Sequence, residues 1–312
     1  MNLTRREAEI LDYLMGKKAN FRDAARALGI KKPNFSNYIK KLGRYRMVSV
    51  FRKGRLKELS LEYGLRSGFF GAKKKLPHIR LSHLLAGITP FLLSFIKTRR
   101  RFRISDLDIP LISAKRQLKQ LRNLGIVFMP FRGIYELREE ALPAAEFCRN
   151  IIMQMHAAEA EQELKTINQA FFSFDSAEEL EVVFVTDQDT RPKHYWPTAY
   201  SVFHNYGIQL ILAGKYYHAN IKPKLEDVII HTLAVSRDAR SIMYVAALML
   251  KNKFDYNKLL RKKQRFDLPE EFIKNLIGFV ESKGKKTFEG FPSWEEVGDV
   301  AYGKTIQRAV HR

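Results

Sequence analysis

One order of segments occurs twice in this chain, about 80 residues apart, and it constrains the fold more than any other feature. The first copy opens on Thr4-Arg5-Arg6-Glu7, the spacing at which side chain and backbone satisfy each other's unpaired groups at a helix start. Ala8, Ile10, Leu11, Leu14 and Met15 follow as a helical apolar stripe. Asn20 is placed to cap a second short helix over 21–28, which stops at Gly29. Pro33 suits the first position of a third helix, whose apolar residues Phe35, Tyr38, Ile39 and Leu42 recur at i, i+3, i+4 and i+7. Two β-rich runs, 47–51 and 56–61, are joined by Arg52-Lys53-Gly54-Arg55.

In the second copy Thr89 caps and Pro90 opens a helix through Phe91, Leu92, Phe95 and Ile96. A short helix or turn follows at 103–107. Ser113 caps a third helix carrying Leu118, Leu121 and Leu124, which Gly125 closes. The hairpin is 126–129 and 134–137, around Pro130-Phe131-Arg132-Gly133. Three helices and then a hairpin is the layout of a winged helix-turn-helix, so two are expected in tandem, at 1–67 and 76–140. Residues 68–75, Gly-rich and basic, read as the linker between them. From 141 to 169 the pattern is one linker helix, with Phe147, Ile151, Met155, Ala158, Leu164 and Ile167 on its apolar side. Residues 170–312 then change character. Strands are expected at 170–174, 180–186 and 207–212, a short helix at 200–206, and mainly helices from Leu225, among them 242–250 and 270–281. The predicted fold class is α+β: two tandem winged helices, a linker helix, and a C-terminal α+β domain with a helical end that binds a partner.

Charge divides the chain at the same place. Of its net +22, residues 1–140 hold 32 Lys+Arg against 11 Asp+Glu, a net of +21, and residues 141–312 hold 23 against 22. Like charges repel in a compact state, so folding does not call for this imbalance. A polyanionic partner does, because each Lys or Arg on a phosphate releases a condensed counterion. An apolar fraction of 46% excludes a disordered chain. The longest apolar stretch, 84–96, is broken by Gly87, Thr89, Pro90 and Ser94 and falls short of the roughly 20 residues that cross a bilayer. No export signal opens the sequence, and Cys148 alone makes neither a disulfide nor a Cys-rich zinc finger. A cytoplasmic protein without a membrane partner is expected.

If Phe35, Tyr38, Ile39 and Leu42 face a core, the first third helix turns Asn34, Ser36, Asn37, Lys40, Lys41 and Arg44 outward. Asn34, Ser36 and Asn37 suit hydrogen bonds to base edges in a major groove. Lys31, Lys32, Lys40, Lys41 and Arg44 suit phosphates, and no acid stands between Lys31 and Lys57. The second third helix presents Ser113, Lys115, Arg116, Gln117, Lys119, Gln120 and Arg122. Arg116 or Gln117 would read guanine or adenine, with Lys115 and Lys119 on phosphate. Arg52, Lys53 and Arg55 at the first hairpin tip, and Arg132 at the second, reach toward a minor groove or the backbone. The run Arg99-Arg100-Arg101-Phe102-Arg103 either touches phosphate or joins two elements.

The neutral half offers one enzyme-like motif. Asp187 and Asp189 follow a strand, as in magnesium-holding nucleotidyltransferases, but no Gly-Gly or Gly-Ser turn precedes them from Lys165 onward. The histidines lack an i, i+4 zinc pair, and His231 reads as a satisfied core residue. No catalytic residue, metal or cofactor is assigned. Tyr195-Trp-Pro-Thr-Ala-Tyr200, Tyr206-Gly207 and Lys222-Pro-Lys-Leu-Glu226-Asp227-Val-Ile-Ile-His231-Thr-Leu233 together resemble the C-terminal domain of AbiEi-type antitoxin regulators, with helices like those at 248–268 after them. That resemblance implies one winged helix before the domain, binding to the protein's own promoter, a nucleotidyltransferase-like toxin as partner, and no catalytic residues. The expected function is a sequence-specific regulator bound to double-stranded DNA, an antitoxin where the resemblance applies. A homodimer packed through the 147–167 helix would set two pairs of winged helices on one duplex. The alternatives are a nucleic-acid-modifying enzyme using Asp187 and Asp189, and an architectural DNA binder with little sequence preference.

Overall fold

Thr4 Oγ1 accepts from the Glu7 N–H at 3.2 Å, and the Glu7 carboxylate accepts from the Thr4 N–H at 2.7 Å. This reciprocal cap opens α1 (Arg5–Leu14), which buries Ala8, Ile10, Leu11 and Leu14. The structure is a computed structural model that describes residues 2–53, 56–107, 109–174, 180–211, 214–219, 222–262 and 265–303. After β1 (Ala19–Asn20), the Asn20 side chain caps α2 (Phe21–Ala27) on the Arg22 N–H. α3 (Lys32–Arg44) buries Phe35, Ile39 and Leu42. β2 (Val48–Lys53) and β3 (Leu56–Leu61) then complete an antiparallel sheet in the order β1-β3-β2.

The expected linker at 68–75 is instead the greater part of a helix, α4 (Tyr63–Lys75). Leu65, Phe69 and Ala72 are buried along it at helical spacing. Gly68 there gives clearance rather than flexibility, because a Cβ would stand 3.0 Å from the Phe147 ring. α5 (Leu81–Leu85) follows, its first N–H groups held by the Asp12 carboxylate at 2.7 and 3.2 Å. Leu3 bridges to Ala86 in parallel, which ties the starts of the two copies together.

The second copy is α6 (Thr89–Arg99), β4 (Arg101–Arg103), one 3-10 turn (Ile104–Asp106), α7 (Leu111–Asn123), β5 (Val127–Phe131) and β6 (Ile134–Leu137). Its sheet order, β4-β6-β5, repeats that of the first. α3 and α7 both have 13 residues, and each residue of α7 lies 79 positions after its counterpart. In that register Phe35, Ile39 and Leu42 match the buried Ala114, Leu118 and Leu121. The exits match too: Met47 N–H bonds Leu42 O at 2.9 Å, and Ile126 N–H bonds Leu121 O at 2.9 Å. Arg46 and Gly125 both take a positive φ there, 54° and 68°.

Two caps differ from expectation. Thr89 lies inside the first turn of α6, buried, with its hydroxyl toward Gln117, while Ile88 is the cap residue. Ser113 is the third residue of α7, not its cap. Pro110, extended and without an N–H to leave unpaired, starts that helix one turn earlier.

After a 3-10 turn (Glu139–Ala141), α8 (Leu142–Leu164) is the long helix that the pattern predicts. Contacts divide the chain into two units, Met1–Glu159 and Ala160–Asp175 with Leu180–Arg312. Phe147, Cys148, Ile151, Met155 and Ala158 join both copies, α4 and α5 in one continuous core. The part of the expected homodimer stripe up to Ala158 is therefore buried within the first unit itself, and Leu164 lies in a core of the second.

The second unit holds β7 (Gln169–Ser173), β8 (Glu181–Thr186), β9 (Tyr195–Pro197) and β10 (Lys215–Ala219), antiparallel in the order β7-β8-β10-β9. A 3-10 helix (Ala199–Tyr206) ends on Gly207 in the left-handed region. The strand expected at 207–212 does not form over 207–211, and Leu212 lies outside the described residues. Ile208 is buried against the core and Ile211 is fully exposed, and β10 takes the place in the sheet instead. α9 (Leu225–Val235), α10 (Ala239–Lys251), α11 (Tyr256–Lys262), a 3-10 turn (Arg265–Asp267), α12 (Glu270–Glu281) and α13 (Trp294–Ala301) make the helical end. The fold is α+β with small antiparallel sheets. Among the described residues no helix is long and apolar enough to cross a membrane.

Candidate nucleic-acid interface

Burial of Phe35, Ile39 and Leu42 fixes which face of α3 is free. Lys31, Lys32, Asn34, Asn37, Lys40 and Arg44 are exposed there, and Ser36 is half-buried. Its C-terminal end is held from α8, where the Gln154 amide donates to Tyr45 O at 2.6 Å and to Arg46 O at 2.9 Å. The Tyr45 hydroxyl donates to Glu159 at 2.6 Å, and burial together with that carboxylate pushes its pKa up. Gln154 and Glu159 thus fix the helix, and no local pattern points to them.

Lys41 leaves the expected set. Its ammonium lies 2.9 Å from the carboxylate of Glu7, which is buried, and donates to Asn2 O at 3.4 Å. A cation spent on an internal carboxylate has little left for a phosphate. Arg52 is exposed near the end of β2, Lys53 ends that strand, and Arg55 lies outside the described residues.

On α7, Lys115, Arg116, Lys119 and Arg122 are exposed, and Arg116 and Lys119 match Asn37 and Lys40 in the 79-residue register. Ser113 is half-buried. Gln117, expected as a base reader, is half-buried and accepts from the Thr89 hydroxyl at 3.4 Å, on the inner side of the helix. Arg132 and Phe131 are exposed at the second hairpin. Among the described residues none of Lys31, Lys32, Lys40, Arg44, Arg52, Lys115, Arg116, Lys119 or Arg132 is in an ion pair. Neither α3 nor α7 contains an acid. Such a face attracts phosphate and presents amide and guanidinium groups for base edges.

The run of arginines at 99–103 is partly structural. Arg101 bonds Glu136 across β4 and β6 at 2.9 and 3.2 Å, and the Arg99 guanidinium packs over the Phe95 ring. Lys73, Lys74 and Lys75, read as linker, are exposed on the last turn of α4 and add to the positive surface.

In the second unit, Asp187 and Asp189 are both exposed beyond β8. The Lys215 ammonium bonds Asp189 and lowers its pKa, while Asp187 accepts from the Gln188 amide at 2.8 Å. Among the described residues no three His, Cys, Asp or Glu side chains are grouped to hold a metal ion. His231 is fully buried, with Nδ1 2.6 Å from the Thr198 hydroxyl and Nε2 2.8 Å from Glu181. Glu181 also accepts from Arg265 at 2.7 Å, which closes a polar network in that core. Cys148 is buried, and burial pushes its thiol pKa up. No family model matches the chain, and neither a curated protein nor a solved structure matches it.

Proposed function

We propose that the chain is a sequence-specific regulator that binds double-stranded DNA, gripping it through two winged helix-turn-helix modules in its first unit. The observation that carries this reading is the matched pair α3 and α7. They are equal in length, bury the same three positions, lack any acid and expose unpaired cations. A solvated helix face ordinarily mixes signs. Lys31, Lys32, Lys40 and Arg44 hold the duplex by its phosphates, as do Lys115 and Lys119, and Asn34, Asn37 and Arg116 reach base edges. The narrower reading is an antitoxin that represses its own promoter and meets its toxin through the neutral half, and it is supported by the resemblance at 195–233.

Selection of bound duplexes from a random-sequence pool by the intact chain tests the proposal. An enriched motif is expected, together with an Asn37→Ala variant that loses about 1–3 kcal/mol of preference at one base pair while its non-specific binding holds. Retention of duplexes without any motif favours an architectural binder, and no retention removes the DNA-binding reading.

A further inference from the structure

In the 79-residue register Leu111 takes the place of Lys32, and Ile112 that of Pro33. Both are open to solvent, Leu111 by 54% and Ile112 by 84%. Single exposed apolar side chains need no explanation, but two adjacent ones opening a cationic face do. Lys115, Arg116 and Lys119 follow Ile112 at i+3, i+4 and i+7, so one face of α7 runs from apolar to basic. The N-terminal residues of a recognition helix are those that meet base edges. Of the groups that base edges present in the major groove, the apolar one is the thymine 5-methyl. A second copy of the chain is a poor occupant for the same face, because it would bring its own +21 against these cations.

We propose that Leu111 and Ile112 contact thymine methyls, so that α7 selects A·T-containing sites by apolar contact while α3 reads through the amides of Asn34 and Asn37. The inference rests on the DNA-binding reading above and adds the chemistry of what the second module recognises.

The probe is a pair of duplex polymers, alternating poly(dA-dT) and alternating poly(dA-dU), which differ by the 5-methyl group. The intact chain is expected to prefer the thymine polymer by about fourfold for each methyl contacted. The Leu111→Ser/Ile112→Ser variant, which alters only exposed side chains and whose fold is checked by circular dichroism, is expected to bind both polymers alike. Lys115→Ala should weaken both by one factor and keep the ratio. Equal binding of the two polymers by the unaltered chain overturns the inference and leaves the regulator intact. So does a preference that survives the double substitution. Self-association of the unaltered chain in sedimentation, lost in the double variant, also overturns it by assigning the pair to a second copy. Binding to neither polymer overturns both the inference and the reading beneath it.

Discussion

Lys40 and Lys41 are neighbours on α3 with opposite roles. Lys40 is exposed and unpaired, whereas Lys41 neutralises the buried carboxylate of Glu7. Lys40→Ala is expected to change folding stability by less than about 0.5 kcal/mol and to weaken every duplex alike, lowering the salt slope of binding by about one. Lys41→Ala leaves a buried acid without its cation, so it should destabilise by about 1–3 kcal/mol in urea unfolding with the salt slope unchanged. The reverse pattern would mean that the outward face of α3 has been misassigned. Periodicity places Phe35, Ile39 and Leu42 inward, as the sequence suggests, but it is silent on Lys41. The direction of that side chain is set by Glu7, 34 residues away, just as that of Gln117 is set by Thr89, 28 residues away. Local spacing carries helix faces and omits such distant partners.

At the scale of elements, the repeat makes a specific demand at the exits of α3 and α7, where the chain turns through a positive φ. A Cβ at Gly125 would meet nothing within 4 Å, so Gly125→Ala should cost only the left-handed backbone penalty, about 1–2 kcal/mol, read from the urea midpoint. Apolar stripes made the helices of both copies legible, and side-chain caps those that open the first copy, because both signals are short-range. The residues at 68–75 misled because two glycines, Gly68 and Gly71, before three lysines look like a linker, while the helix depends on contact with Phe147. The run at 207–212 misled because β-branched residues suit strands, yet an edge to pair with is a tertiary property. α8 carries a further consequence. His156 Nε2 is buried without a hydrogen-bond partner among the described residues, and burial lowers the His156 pKa from 6.5 to about 4. Between those values the unfolded chain binds a proton that the folded chain does not, so stability falls as pH drops from 6.5 toward 4, by up to about 3 kcal/mol. Urea unfolding across that range should show the loss, and His156→Leu should flatten it. An identical pH profile for the two proteins would refute the assignment.

For the whole molecule the charge division is the governing fact, with +21 within residues 1–140 and +1 beyond them. The first unit extends to Glu159 because the apolar side of α8 completes its core, so a fragment cut at 140 would remove part of the structure that holds α3. The intact chain is therefore the proper object of measurement. The most direct test is its affinity for a random-sequence DNA duplex across a range of salt, beside a variant with Lys32, Lys40, Lys115 and Lys119 all changed to Ala. The account predicts that log affinity falls steeply with log salt, by about 0.9 for each phosphate contacted, and that the variant loses about one unit of slope for each lysine removed. A slope near zero, or one that the four substitutions leave unchanged, would contradict it.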